Sequence, residues 1–292
     1  MEYQVLLYYK YAPVKDPQAV MLWQKTLCEK LGLKGRIIIA EEGINGTVEG
    51  TKKNTIAYMQ ATKELPAFKE LRFKRSVGTG NSFKRLSVKV RQDIVSDKIV
   101  DWRVNPNETT GKYLSAEKLH EWLRSRPGDF VVVDMRNDYE HKSGHFAGSV
   151  LPQMETFRDL PKVIPELQKY KNKTVVTVCT GGVRCEKASG FLIKNGFNDV
   201  YQLQDGIVTY MEKYPNEDFK GKLYVFDERI LMGFKTDHSQ HEVIGTCVHC
   251  GLASETYVNC KNNACHRHLI CCQKCVDSDG MTTCPQGCRK MK

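Results

Sequence analysis

The sequence lacks any run of eighteen apolar residues in its 292 positions, and a membrane-spanning helix needs about twenty. Its first ten residues also lack the basic, apolar and small-residue order of a signal peptide. Acidic residues are in deficit, with 34 Asp and Glu against 44 Lys and Arg. We therefore expect a cytoplasmic protein without a membrane partner, divided into two or three domains.

A seven-residue loop is the most informative segment. The β-branched run 174–178 predicts a buried parallel strand, and the segment 186–194 predicts a helix. Between them lie Cys179, Thr180, Gly181, Gly182, Val183, Arg184 and Cys185. Inward-pointing backbone N–H groups in such a loop lower the pKa of a thiol. We therefore interpret Cys179 as a catalytic cysteine and not as a buried apolar thiol; Cys185 is either a resolving thiol or a packed residue at the helix start.

Four residues upstream of this loop are candidate supports for it. They follow a second predicted strand at 130–134, and they are Asp134, Arg136, Glu140 and His145. A third strand is predicted at 199–203. Strands that alternate with helices predict an α/β domain with a parallel sheet, whose ligands bind at the carboxyl ends of the strands. The four residues either support the loop electrostatically or fix the strand-to-helix turn, and we favour the structural role.

This pattern resembles a rhodanese domain over residues 115–214. The matching positions are Asp134-x-Arg136, Glu140, Gly144-His145, Gly148 and Cys179-x-x-x-x-Arg184. Relatives with phosphatase or arsenate-reductase activity have one more residue in the loop, so the resemblance implies sulfur or redox chemistry at the thiol. The sequence departs from the rhodanese pattern at Gln204-Asp205-Gly206, where two glycines are usual.

Residues 1–92 carry most of the net charge of +10, with 17 Lys and Arg against 8 Asp and Glu. Their hydrophobic patterns follow the order β-α-β-β-α-β, which predicts a ferredoxin-like α+β domain. Alternation in the last two strands puts basic residues on one sheet face, namely Arg72, Lys74, Arg85, Lys89 and Arg91. Such a face suits RNA, because neutralised phosphates release counterions. An ordinary solvated sheet face is the alternative.

The C-terminal unit, residues 247–292, contains nine of the twelve cysteines. A linker at 93–114 and a connector at 215–246, with a strand at 221–229, separate the units. Eight cysteines form four pairs, Cys247 with Cys250, Cys260 with Cys265, Cys272 with Cys275, and Cys284 with Cys288. They predict two cross-braced structural zinc sites, with the first pair joined to the third and the second to the fourth. Either Cys271 or Cys272 is spare, and we place Cys272 in the ligand set. His249, His266 and His268 are substitute ligands, and disulfides or an iron–sulfur cluster are the alternatives.

Motifs in all three segments resemble those of the bacterial oxygen-dependent tRNA uridine hydroxylases, a family of rhodanese-domain proteins. The matching motifs lie at 35–48, 86–91, 144–146, 156–158, 179–187 and 224–229. The resemblance implies an enzyme that forms 5-hydroxyuridine at the wobble position of tRNA with molecular oxygen. It also implies that Cys179 is the catalytic cysteine.

The residues agree with part of this implied function. A basic domain holds tRNA while the loop presents a thiolate to an extruded base, and addition of the thiolate to C6 of uridine would make C5 electron-rich. The sequence has no nucleotide, flavin, haem or 2-His-1-carboxylate motif. One alternative is a rhodanese-type sulfurtransferase that passes persulfide sulfur from Cys179 to an acceptor. Another is an RNA-binding or zinc adaptor protein without activity.

Overall fold

The computed structural model describes residues 2–95, 104–125, 129–237, 239–262, 264–265, 267–277, 280–285 and 287–288. Part of the predicted linker at 93–114, and His266 among the predicted substitute ligands, lie outside these residues. Among the helices that the structure describes, none is long and apolar enough to cross a membrane.

The N-terminal domain is a five-stranded sheet covered by two helices. Its elements are β1 (Tyr3–Tyr11), α1 (Pro17–Lys30), β2 (Lys34–Ala40), β3 (Gly43–Thr51), α2 (Lys52–Glu64), β4 (Arg72–Val77) and β5 (Leu86–Val90). The strand order is β4-β1-β3-β2-β5, with β5 parallel to β2 and the other pairs antiparallel. This confirms the predicted ferredoxin-like fold, with β5 added at one edge.

Local capping fixes where the two helices of this domain begin. The Asp16 carboxylate accepts a hydrogen bond from the Ala19 N–H at 2.9 Å, and Pro17 follows it at the first helical position. These are favourable residues for a helix start, because the first N–H groups have no partner within the helix. One face of the sheet packs under the helices through Leu6 and Tyr8 of β1. The opposite face of β1 lies against the second domain.

The second domain contains a four-stranded parallel sheet. Its elements are β6 (Lys112–Leu114), α3 (Ala116–Ser125), β7 (Phe130–Asp134), α4 (Asp138–His141), β8 (Gly144–Phe146), α5 (Leu160–Leu167), β9 (Thr174–Val178), α6 (Val183–Lys194), β10 (Asp199–Leu203) and α7 (Gly206–Lys213). The sheet order is β6-β10-β9-β7, and every pair is parallel. Separate apolar clusters cover its two faces, which confirms the predicted α/β fold and brings the ends of β7, β9 and β10 together.

The remaining chain wraps back on this domain as short antiparallel pairs. They consist of β11 (Phe219–Gly221) on β8, β12 (Leu223–Tyr224) on β13 (Leu231–Met232), and β14 (Tyr257–Asn259) on β15 (His268–Ile270). The strand expected at 221–229 is wrong in its extent. Beyond β12 the chain turns, because the Asp227 carboxylate accepts hydrogen bonds from the backbone and side chain of Arg229.

Candidate active site and cysteine clusters

Cys179 follows β9 directly and is fully buried. The loop that begins with it ends at Gly182, whose φ of 100° lies in the left-handed region that favours glycine. The N–H group of Gly182 donates to the Cys179 sulfur at 3.2 Å. Helix α6 starts at the next residue, so the sulfur lies near the positive end of a helix dipole. The local sequence thus folds into the anion-binding cradle that the two glycines predict.

The surroundings of Cys179 favour its thiolate. Burial by itself raises the pKa of Cys179, but three groups together outweigh it and lower that pKa to about 6. They are the Cys185 thiol, the Arg184 charge, and the backbone N–H groups of these same two residues. Burial, together with the hydrogen bond to Cys179, raises the pKa of Cys185 well above its usual value. The opposite directions of the two pKa shifts favour a charge on Cys179, with the Cys185 thiol as its hydrogen-bond donor.

The alkylation rate of Cys179 by iodoacetamide should reach half of its maximum near pH 6, as followed by peptide mass spectrometry. An ordinary cysteine has a pKa of about 8.5, and the thiolate is the reactive form, so the rate should rise as pH increases through the lowered value. Cys28 is the internal control, because burial, followed by the nearby Glu29, raises its pKa to about 12. A midpoint for Cys179 at or above the ordinary value would contradict the geometry of the loop.

Glu140 supports the loop directly. Its carboxylate pairs with the Arg184 guanidinium, which donates from Nη2 to Oε2 at 2.9 Å and to the Thr180 hydroxyl at 3.3 Å. The same carboxylate accepts from the Asn137 N–H at 3.0 Å, which closes a capping box at the start of α4. Of the four predicted supports, Glu140 therefore orients the arginine that stabilises the thiolate.

The other three predicted supports make structural bonds. Arg136 and Asp134 are both fully buried and form a bidentate ion pair. Arg136 also donates to the Gly144 carbonyl at 2.6 Å, which fixes the turn after β7. The ring of His145 bonds to the His141 carbonyl at 2.8 Å. These contacts correspond to the structural role favoured from the sequence.

Strand β1 of the N-terminal domain covers the cysteine loop. Leu7 packs on the core of the second domain, and the Tyr9 hydroxyl donates to Glu186 Oε1 at 3.0 Å. A methyl group on Gly181 would come within 2.9 Å of Leu7, and one on Gly182 within 2.8 Å of the Tyr9 hydroxyl. Both loop glycines are therefore required by close packing. Sequence reasoning missed these contacts, although the unbroken apolar run at 5–9 indicates a strand that is buried on both faces.

The five predicted RNA-binding residues lie along strands at opposite edges of the N-terminal sheet. Arg72 and Lys74 are on β4, and Arg85, Lys89 and Arg91 lie on or beside β5. All are exposed except Lys74, which is buried against the loop. Side chains of directly paired residues lie on the same face of a sheet. Arg72 and Lys89, at the two edges, therefore share one face, because the pairings Arg72–Tyr9, Tyr9–Asn45, Asn45–Ile38 and Ile38–Lys89 connect them. The second domain covers this face at β1 and β4.

Asp205, which stands where the rhodanese pattern usually has a glycine, makes a contact between the two domains. Asp205 adopts a φ of 63°, a left-handed conformation that aspartate tolerates better than most residues. Its carboxylate pairs with Arg72 at 2.9 Å, and therefore links the two domains. Gly206 cannot be replaced in the same way, because a methyl group there would lie 2.6 Å from the Gly181 carbonyl carbon.

A cavity of about 340 Å³ opens between the two domains beside the loop. Its walls combine aromatic, basic, acidic and amide side chains, including Tyr9, Tyr11, Arg72, Asn107, Tyr113 and Glu186. Tyr9 and Tyr113 both donate to the same Glu186 oxygen, at 3.0 and 2.9 Å. Flat aromatic walls and polar groups of this kind suit a planar polar molecule.

The structure groups eight C-terminal cysteines into two clusters. One contains Cys247, Cys250, Cys272 and Cys275, and the other Cys260, Cys265, Cys284 and Cys288. Within each cluster the sulfur atoms lie within 4.8 Å of one another. These are the groupings that the cross-braced arrangement predicts. Cys271 lies outside both, with its sulfur 3.9 Å from that of Cys247.

The spacing of the sulfur atoms fits a single ion. Cys250 and Cys272 are 3.6 Å apart, and Cys260 and Cys288 are 3.5 Å apart. A disulfide would need about 2.05 Å, whereas four thiolates at about 2.3 Å from a tetrahedral zinc ion lie roughly 3.8 Å from one another. An iron–sulfur cluster has several irons and bridging sulfides between its thiolates and needs more room. Both clusters are therefore suited to bind a metal ion.

Two of the predicted substitute ligands have other partners. The Nε2 atom of His249 lies 2.7 Å from the Thr282 hydroxyl, and the Nδ1 atom of His268 lies 2.9 Å from the Tyr224 hydroxyl. Four cysteines complete each cluster without them.

Three family models match this chain. They are a UPF0176 acylphosphatase-like domain at residues 3–94, a rhodanese-like domain at 115–213 and a rhodanese C-terminal region at 220–289. A solved rhodanese-like domain protein from Staphylococcus aureus is 25% identical with a TM-score of 0.29, and the match covers 34% of this chain and 90% of that one.

Curated relatives match over much more of the chain. A protein of Cytophaga hutchinsonii is 44% identical over 94% of this chain and 86% of its own length. One of Bacillus pumilus is 44% identical over 99% of this chain and 88% of its own length. Both are named tRNA uridine(34) hydroxylase. Since matches of this identity extend over nearly the whole sequence, the chain belongs to the tRNA uridine(34) hydroxylase family.

Proposed function

We propose that this protein hydroxylates C5 of the wobble uridine in tRNA, with molecular oxygen as co-substrate and Cys179 as the catalytic nucleophile. The observation that carries the proposal is a thiol with a lowered pKa in a preformed anion cradle. It occurs in a chain 44% identical, over nearly its full length, to proteins named tRNA uridine(34) hydroxylase. A tRNA substrate supports a cytoplasmic location for the reaction.

The thiolate supplies a route to C5 of the base. Its sulfur forms a bond to C6 of the uracil ring, and the electron pair of the C5–C6 double bond moves toward C5 and the O4 carbonyl. C5 is thereby made electron-rich, and it is the carbon that carries the new hydroxyl group in 5-hydroxyuridine. An ionised sulfur at neutral pH is the form that this addition requires.

Four exposed arginines and lysines on the N-terminal sheet are proposed to bind phosphates of the tRNA. They are Arg72, Arg85, Lys89 and Arg91, and the local excess of basic charge supports their role. Lys74, the fifth predicted contact, is buried against the cysteine loop. For this residue the contacts favour a role in the loop over direct phosphate binding.

Both cysteine clusters are proposed to hold structural zinc. Four thiolates with no open position are typical of a closed zinc site, and such an ion stabilises a fold without taking part in the reaction. The hydrophobic cluster of Tyr224, Tyr257 and Ile270 joins the C-terminal unit to Tyr139 of α4. Because Glu140 follows Tyr139, the zinc unit braces the helix that supports the loop.

The proposal is tested by nucleoside mass spectrometry of bulk tRNA from cells lacking this protein. We expect 5-hydroxyuridine and its derivatives to return after complementation with the wild type and not with Cys179→Ala. An unchanged modification pattern in both strains would refute the proposed function.

Sulfurtransfer is the second candidate, and the short loop with four residues between Cys179 and Arg184 favours it. In that reaction Cys179 attacks the outer sulfur of thiosulfate, releases sulfite and carries a persulfide to an acceptor. Release of sulfite from thiosulfate, together with an unchanged tRNA pattern, would select this candidate.

A further inference from the structure

Lys74 of β4 is a buried lysine that contacts the active-site loop of the neighbouring domain. Its side chain is only 5% exposed, and its Nζ donates to the Gly181 carbonyl oxygen at 3.0 Å. The same Nζ lies 3.5 Å from Asp205 Oδ1 and 4.6 Å from the centre of the Tyr9 ring. Burying an ammonium group is costly unless it is paired and hydrogen-bonded. An apolar side chain would avoid that cost, so the charge calls for an explanation.

The carbonyl group that Lys74 binds belongs to the peptide unit that faces the catalytic sulfur. Gly181 O and Gly182 N are at opposite ends of one planar trans group, and the Gly182 N–H donates to the Cys179 sulfur at 3.2 Å. A rigid unit held at its carbonyl end cannot rotate its N–H away from the sulfur. A cationic donor at the carbonyl also polarises the peptide, which strengthens the N–H as a donor.

We propose that Lys74 is a positioning residue of the active site, which holds and polarises the Gly181–Gly182 peptide so that its N–H stabilises the Cys179 thiolate. The active site is then built by both domains, with the N-terminal domain supplying a lysine as well as a cover for the loop. This inference rests on the proposed function only for the reaction in which the thiolate acts as a nucleophile. Ionisation of the thiol itself is measurable without tRNA.

Groups other than Lys74 also affect the ionisation of Cys179, and they limit how much the loss of Lys74 can change it. Arg184 and Cys185 of α6 contribute directly to lowering its pKa. Tyr9 of β1 faces the same region and is hydrogen-bonded to Glu186, while Asp205 and Arg72 lie around Lys74. Burial lowers the pKa of Lys74, and its pairing with Asp205 and the charge of Cys179 oppose that change. Removing Lys74 should therefore weaken the stabilisation of the thiolate without abolishing it.

The test compares the pH dependence of Cys179 alkylation in the full-length protein and in the variants Lys74→Met and Lys74→Gln. Methionine removes the charge and the donor, whereas glutamine removes only the charge. We expect the midpoint to rise by about one pKa unit in Lys74→Met, which slows alkylation roughly threefold at pH 6.5. Lys74→Gln should lie between this variant and the wild type. Lys63→Met, on the exposed surface of α2, is the matched control and should leave the midpoint unchanged.

Two other outcomes overturn the proposal. An unchanged midpoint with weaker, less salt-dependent tRNA binding would make Lys74 a phosphate contact of the RNA. Failure of both neutral variants to fold with full metal content would make it a structural lysine. If the wild type modifies no tRNA and the midpoint still rises in the variants, the proposed function fails while this inference stands.

Discussion

Purified Cys179→Ser should form no measurable 5-hydroxyuridine in tRNA, with a loss of at least about a thousandfold relative to the wild type. A serine hydroxyl in the same cradle remains protonated at neutral pH, so it cannot add to C6 as the thiolate does. The fold should be preserved, because the exchange is nearly isosteric and the Gly182 N–H can donate to the hydroxyl. The measurement is nucleoside mass spectrometry of tRNA after incubation with enzyme and oxygen.

Exchange of the C5 hydrogen separates the role of the nucleophile from that of oxygen. If Cys179 adds to C6, the electron-rich C5 takes up a proton in the absence of oxygen, and reversal releases the original hydrogen. The wild type should therefore release tritium from tRNA labelled at C5 of uridine under anaerobic conditions, whereas Cys179→Ser should not. Cys28→Ala is the control, because Cys28 is buried in the distant core of the N-terminal domain. Hydroxylation by Cys179→Ser at the wild-type rate would disprove nucleophilic catalysis by this residue.

Short spacings made the loop and the cysteine pairs predictable. The run from Cys179 to Gly182 lies between a strand and a helix, so local sequence fixes both the glycine turn and the position of the sulfur. The grouping of Cys247 and Cys250 with Cys272 and Cys275 also follows from a small number of ways to combine four pairs. In both cases most of the functional groups come from residues that are close together in the sequence.

Contacts between domains were not predictable in the same way. Alternation in β4 places Lys74 on a face of the sheet, but it does not say what covers that face. The cover over Lys74 is the loop at Gly181, which lies more than a hundred positions later in the sequence. Lys74 reaches the carbonyl oxygen of that glycine. Asp205 is a similar case, because its departure from glycine is explained only by its pairing with Arg72 of the other domain.

Cys272→Ala should lower the zinc content from two ions to one per chain, as measured by metal analysis of the purified protein. Cys272 is one of four thiolates in the first cluster. Binding of a structural zinc ion contributes ~10–16 kcal/mol, and this free energy stabilises the folded state of the unit. Loss of this site should loosen β14 and β15, which pack through Tyr257 and Ile270 onto Tyr139. Hydroxylation should then fall as well, because α4, which carries Glu140, loses its packing against the C-terminal unit.

Cys271→Ala is the matched control for this prediction, since the two cysteines are neighbours in sequence and only one belongs to a cluster. Cys271 is fully buried and packs with Val258, so its loss should cost only ~1 kcal/mol of packing. Two zinc ions should remain bound, with activity near that of the wild type. If Cys271→Ala loses an ion and Cys272→Ala keeps both, Cys271 is the ligand, and the chain after β15 must follow a different path around the metal.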